Sequence, residues 1–182
     1  MSELTVAYRY AKSLIDLAEE QNSLETIKQD MVFFVQTLKA HTELQAVLRN
    51  PIITHDKKTN ILDSIFADKV NKVTTAFLNI MVRKSRAGIL YHTAKEFLNL
   101  YNLKKNIVTA KVTSAAPLSA ANRQQIIDDI KASTGGEVIL NETVDAALIG
   151  GFLLTIGDRQ IDTSVANNLQ KLKKEFAQKV IQ

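Results

Sequence analysis

Through the first hundred residues apolar positions recur at spacings of three and four, the period of a helix with one buried face. Leu4, Ala7, Tyr8, Ala11, Leu14, Ile15 and Ala18 form one stripe, and Leu24, Ile27, Met31, Phe34, Val35 and Leu38 form a second. Ser23 precedes the second stripe, placed for its hydroxyl to accept hydrogen bonds from unpaired first-turn amides. Thr42 and Gln45 have the spacing of a capping box ahead of Leu44, Val47 and Leu48, and Asn50-Pro51 stops that helix. Thr54 is placed to cap the next. Ile61, Leu62, Ile65 and Phe66 supply its buried face, Phe77, Leu78, Met81 and Val82 another, and Ile89, Leu90, Phe97, Leu98 and Tyr101 a last. The expectation is a bundle of about six helices over residues 1–105.

After Lys104-Lys105-Asn106 the period changes to two. Val108, Ala110 and Val112 alternate with Thr109, Lys111 and Thr113, which predicts a strand from Ile107 to Ser114. Pro117 ends it, Ser119 is placed to cap a helix carrying Ile126, Ile127 and Ile130, and Gly135-Gly136 closes that helix. Val138 to Leu140 reads as a short strand, Gly151 to Ile156 as another, Gly157-Asp158 as a hairpin turn and Arg159 to Ile161 as the returning arm. Asp162, Thr163 and Ser164 all have cap chemistry for a final helix with Val165, Leu169, Leu172 and Phe176 on one stripe and Asn167, Lys171 and Lys174 elsewhere on it. The fold class is therefore mainly α, a six-helix bundle followed by a small α+β domain over residues 106–182.

Composition limits what such a chain does. Of 182 residues, 46% are hydrophobic and 23% charged, ordinary for a folded globular protein. There is no cysteine, which excludes disulfides, thiolate metal sites and a cysteine nucleophile. Met1-Ser2-Glu3-Leu4-Thr5 lacks the basic start and apolar run of a signal peptide, and no apolar run approaches the roughly 20 residues that cross a bilayer. Contact with a membrane is thus expected only through partners. The formal charge is +4 and the pI about 9.2. The densest basic run, Lys171 to Lys174, reads as a solvated helix face, though it also motivates an alternative, a basic helical adaptor for nucleic acid.

Catalytic, cofactor and metal constellations are not found in the pattern. His41, His55 and His92 share no metal-ligand spacing. Gly135-Gly136 and Gly150-Gly151 sit in neither a Walker nor a dinucleotide-binding pattern. Asp158 and Asp162 flank the hairpin arm, where aspartate is ordinary turn and cap chemistry. The reading is of a protein that works by its surfaces and needs no cofactor.

Leu148-Ile149-Gly150-Gly151-Phe152-Leu153-Leu154-Thr155-Ile156-Gly157-Asp158-Arg159-Gln160-Ile161-Asp162-Thr163-Ser164-Val165 resembles the C-terminal signature of delta subunits of the rotary F-type ATP synthase and of their mitochondrial counterpart, the oligomycin-sensitivity-conferring protein. Gly150, Gly151, Gly157, Asp158, Asp162 and Ser164 carry that signature. The likeness continues through Asn168-Leu169 and Lys171-Leu172, through Val112-Thr113-Ser114-Ala115-Ala116-Pro117-Leu118, through the opening Ala7-Tyr8-Arg9-Tyr10-Ala11-Lys12-Ser13-Leu14, and at Arg86. Two departures stand out. Lys104-Lys105-Asn106 replaces a glycine turn common in that family, and Ala146-Ala147 lacks a proline common before the glycine pair.

The resemblance implies a non-catalytic stator subunit, one copy per complex, on the cytoplasmic face of a bacterial inner membrane; a mature organellar chain is the other origin compatible with it. It implies that the bundle holds the N-terminal segment of an alpha subunit and that the C-terminal domain engages the C-terminal ends of the peripheral-stalk b subunits. Tyr10, Ala11, Leu14, Ile15, Ile80 and Met81 are the groove candidates for the alpha segment, with plain core packing the other reading at each position. Val165, Leu169, Leu172 and Phe176 are the candidates for the b contact.

Overall fold

The computed structural model describes residues 3–179, with residues 172 and 174–179 described by backbone alone. Two compact units divide the chain at Lys104 and Lys105. The first contains α1 (Glu3–Glu20), α2 (Leu24–Ala40), α3 (Thr42–Arg49), α4 (His55–Phe66), α5 (Lys72–Arg83), a single 3₁₀ turn (Ala87–Ile89) and α6 (Leu90–Lys104). Both α1 and α2 pack against α6. Leu14, Phe34, Phe66, Met81 and Phe97 are almost fully enclosed, with the Phe34 and Phe66 rings 5.1 Å apart. These are the inward positions of the helical stripes, so burial of that apolar area is what assembles the bundle. Leu4 and Tyr8, at the outer margin of the first stripe, remain exposed.

Helix ends depart from the expected caps. The Ser23 hydroxyl makes no cap bond to α2 but donates to the Ala18 carbonyl at 3.4 Å. Its amide also bonds Ala18 O at 2.8 Å while the Asn22 amide bonds Glu19 O at 2.9 Å, with Asn22 at φ 50°. That pair of bonds is the left-handed closure of α1, so the Ser23 amide and hydroxyl finish one helix while its carbonyl, accepting from the Ile27 amide at 3.0 Å, starts the next. The Thr42–Gln45 capping box does not form: Thr42 already lies inside α3, and Gln45 Nε2 donates to Leu38 O at 2.6 Å, taking up an open carbonyl at the end of α2. Thr54 occupies the cap position of α4 with extended backbone, but its side chain makes no cap bond. At α5 Asn71 accepts from the Val73 amide at 2.9 Å, and Asp30, reaching across from α2, accepts from the Asn71 amide at 2.8 Å and from the Thr74 hydroxyl at 2.6 Å.

The second unit runs β1 (Ile107–Ser114), α7 (Ala120–Thr134), β2 (Glu137–Val144), β3 (Phe152–Ile156), β4 (Arg159–Asp162) and α8 (Val165–Lys179). The strand order is β2-β1-β3-β4. β2 is longer than its apolar stretch suggests because all eight of its residues pair in parallel with β1, from Ile107 opposite Glu137 to Ser114 opposite Val144. The other side of β1 carries β3 antiparallel, and β3 and β4 form the expected hairpin. Ala110, Val112 and Leu154 from the sheet and Ile126 and Ile130 from α7 form its core. Ser119 caps α7, accepting from the Asn122 amide at 3.2 Å, and Gly135 closes it at φ 69°. Asn106 stands at φ 53°, so it adopts the left-handed turn that a glycine otherwise supplies.

Candidate docking surfaces

The residues proposed for the alpha-segment groove separate by burial. Ala11, Leu14, Ile15 and Met81 are core side chains with at most 4% of their surface open, while Tyr10 is half-buried and Ile80 is 51% exposed on α5. On the surface, Tyr10 lines a groove of about 280 Å³ with Val6, Arg9, Ser13 and Arg86, between α1 and the turn that follows α5. The spacing of Val6, Arg9, Tyr10 and Ser13 is one face of a helix adjoining the buried stripe. Arg86 follows a left-handed closure of α5, in which Ser85 stands at φ 60° and the Arg86 amide reaches back to Met81 O at 2.8 Å. That closure turns the chain out of the helix and brings Arg86 beside α1.

A deeper cavity of about 350 Å³ adjoins the groove through shared Val6 and Arg86, reaching Leu48, Arg49, His55 and Lys58. Lys58 is 8% exposed, and its ammonium donates to Leu48 O at 2.8 Å. Burial lowers its pKa from the ordinary lysine value. The sequence pattern singles out neither Arg49 nor Lys58, and His55 enters it only as one of three histidines without metal-ligand spacing. The available signal was His55 and Lys58 in the first turn of α4, where the helix dipole disfavours cations.

In the second unit the signature residues form one corner. Gly151 has φ 80°, and a Cβ there would lie 2.5 Å from Thr163 O. The neighbouring Gly150 carbonyl accepts from the Val165 amide at 3.0 Å, and the Thr163 amide and hydroxyl both donate to Phe152 O. The glycine pair thus lets the entry of β3 lie directly against the start of α8. The Asp162 carboxylate accepts from the Ser164 amide at 2.8 Å, and Ser164 Oγ accepts from the Asn167 amide at 3.2 Å. Hydrogen bonding by Ser164 holds the Asp162 carboxyl below its usual value, aided by the charge of Lys171. Gly157 takes φ 55° and Asp158 lies exposed at the hairpin tip, both as turn residues.

This corner aims α8, on which Val165 is 40% and Leu169 57% exposed. The side chains of Leu172 and Phe176, the other two residues proposed for the b contact, lie outside the described residues. Among the described residues there is no cluster of potential metal ligands.

Comparison with known proteins assigns a family to this arrangement. The family profile of the ATP synthase delta (OSCP) subunit matches residues 6–176, spanning both units. ATP synthase subunit delta of Cytophaga hutchinsonii is 39% identical over 181 residues, covering 100% of this chain and 99% of that one. The subunit delta of Chlorobium luteolum is 37% identical, covering 97% of this chain and 98% of its own, and a chloroplastic subunit delta from Ochrosphaera neapolitana is 35% identical over 94% and 97%. Among solved structures, a chain of the Toxoplasma gondii mitochondrial ATP synthase hexamer shares the fold, with a TM-score of 0.73, 22% identity and coverage of 94% of this chain and 97% of that one. A bundle and an α+β unit in this order, with the Gly150–Ser164 corner between β3 and α8, and relatives aligned from end to end, make this chain a member of the ATP synthase delta (OSCP) subunit family.

Proposed function

We propose that this chain is a non-catalytic stator subunit of an F-type ATP synthase, which ties the catalytic head to the peripheral stalk and resists the torque of the rotor. The observation that carries the reading is the family match, which runs through both units and not through one alone. A tether needs two separate attachment surfaces and no reactive centre, and the chain offers an open groove on its first unit and the exposed Val165 and Leu169 on its last helix.

The groove beside Tyr10 suits an amphipathic helical segment, which lays its apolar side on Val6 and Tyr10 between flanking arginines. We assign it to the N-terminal segment of the alpha subunit. Of the six candidates, Tyr10 offers direct contact in this groove; Ile80 is exposed on α5 but does not line it, and Ala11, Leu14, Ile15 and Met81 are core side chains that act only through packing. Val165 and Leu169, continuing towards Leu172 and Phe176, are assigned to the C-terminal ends of the b subunits. No helix among the described residues is long and apolar enough to cross a membrane, and the chain is assigned to the membrane surface, the cytoplasmic face in a bacterium, by way of its complex.

Calorimetric titration of the full chain with a peptide from the N-terminus of its cognate alpha subunit, followed also by circular dichroism, tests the first attachment. Saturable one-to-one binding with a gain in helicity is expected. Absence of binding at high micromolar peptide, with the chain folded, overturns the assignment and directs attention to a salt-dependent titration with nucleic acid.

A further inference from the structure

The cavity beside the groove gathers basic and polar groups from three segments. Arg49 closes α3, His55 and Lys58 lie in the first turn of α4, and Ser85 and Arg86 follow α5. Glu3 is the one carboxylate among the residues lining it. Lys58 spends one N–H on Leu48 O, which leaves two donors, and among the described residues no carboxylate lies within ion-pair distance of Lys58, Arg49 or Arg86. The Leu48 carbonyl, in the last turn of α3, meets this ammonium in part, and an anion that reaches the cavity would complete its neutralisation.

Other polar groups lie around the same cavity. His55 Nδ1 donates to Val82 O at 2.6 Å, so its Nε2 faces the Ser85 hydroxyl at 3.5 Å. Arg49 donates to His92 Nε2 at 3.3 Å with one of its five N–H groups, leaving the rest of the fork for other acceptors. No side chain caps the start of α4, so the positive end of that helix dipole adds to the basic residues of its first turn. Like charges brought together in this way are stabilised by an anion seated among them.

We propose that this cavity is an oxyanion-binding site, which receives a carboxylate or phosphate group on Lys58, Arg49 and Arg86. Its volume of about 350 Å³ exceeds the anionic group itself and leaves room for the stem that bears it. Two sources share this chemistry: a free oxyanion, or an acidic side chain of the segment docked in the adjoining groove. Only the second rests on the alpha-segment reading.

Titration of the full-length chain with inorganic phosphate, followed by backbone amide shifts, is the test. Saturable shifts centred on His55, Lys58, Ser85, Arg86 and Gly88 are expected. Lys58→Met, which keeps the length of the side chain and removes its charge, should weaken binding roughly tenfold or more. Shifts that never saturate, or that spread evenly over the surface lysines, overturn the site, as does unchanged affinity in Lys58→Met. Should that variant fail to fold, the exposed Arg86→Gln carries the test, and unchanged affinity there is equally fatal. A second titration, with the alpha-subunit peptide, separates the sources. Competition with phosphate that disappears when the peptide's carboxylates become amides identifies a partner side chain, and independent binding identifies a free ion. Phosphate binding without peptide binding removes the docking reading and leaves the oxyanion site standing; peptide binding without phosphate binding does the reverse.

Discussion

Gly151 and Gly157 both adopt left-handed backbone, at φ 80° and φ 55°, yet for different reasons. Nothing lies within 4 Å of a Cβ built on Gly157, whereas one on Gly151 would meet Thr163 O at 2.5 Å. Gly157→Ala should therefore cost only the backbone preference, about 1 kcal/mol, and Gly151→Ala should cost clearly more because the start of α8 must shift as well. Urea unfolding of the two variants checks the order. At the same corner, Ser164 depresses the pKa of Asp162 by stabilising its charged form. A depressed carboxyl adds stability above its unfolded pKa and loses it as pH falls through the lower, folded value. Carboxyl chemical shifts should show Asp162 titrating below ordinary aspartate, and Ser164→Ala should move it back up.

Between elements, hydrogen bonds take over where apolar contact leaves polar groups enclosed. Asp30, with 7% of its surface open, ties α2 to the start of α5 through Asn71 and Thr74. Its charge also meets the positive end of the α5 dipole. Asp30→Ala leaves an amide and a buried hydroxyl without their acceptor, so a loss of about 2–3 kcal/mol is expected in equilibrium unfolding, with Asp30→Asn losing less. Tyr101 makes a similar link, its hydroxyl donating to the Glu25 carboxylate at 2.7 Å and so joining α6 to α2. Such links join residues 41 to 76 positions apart, beyond the reach of any local pattern.

For the whole molecule, the two units carry separate candidate surfaces, so damage to one should spare the other. Leu169 is 57% exposed on α8 and takes no part in the core around Ala110 and Ile130. Leu169→Asp is expected to leave folding and alpha-peptide titration unchanged while weakening binding to a C-terminal fragment of the b subunit by about tenfold or more. Calorimetry with each partner in turn checks this, and a simultaneous loss of both would show that the surfaces are not separate.

The periodicities of three to four and of two, with the breakers Pro51, Pro117, Gly135 and Gly157, determined by themselves the helical bundle, the later strands and the central core residues. These signals are local, because a helix or strand face repeats along the chain itself. The signature around Gly150 and Asp162 likewise made the family legible before its geometry was known. Tertiary structure decided what depends on residues distant in sequence. β2 extends to Val144 because β1 lies beside it, and Ser23 and Gln45 serve the ends of preceding helices whose carbonyls lie within reach. Ala11, Leu14 and Met81 became core while Val6, Arg9 and Arg86 line the groove, since a stripe's pattern marks the side that is buried and leaves open which neighbour covers its margin. The gathering of Arg49, Lys58 and Arg86 around one cavity belongs to the same class: three chain segments meet there, and only the folded chain brings their charges together.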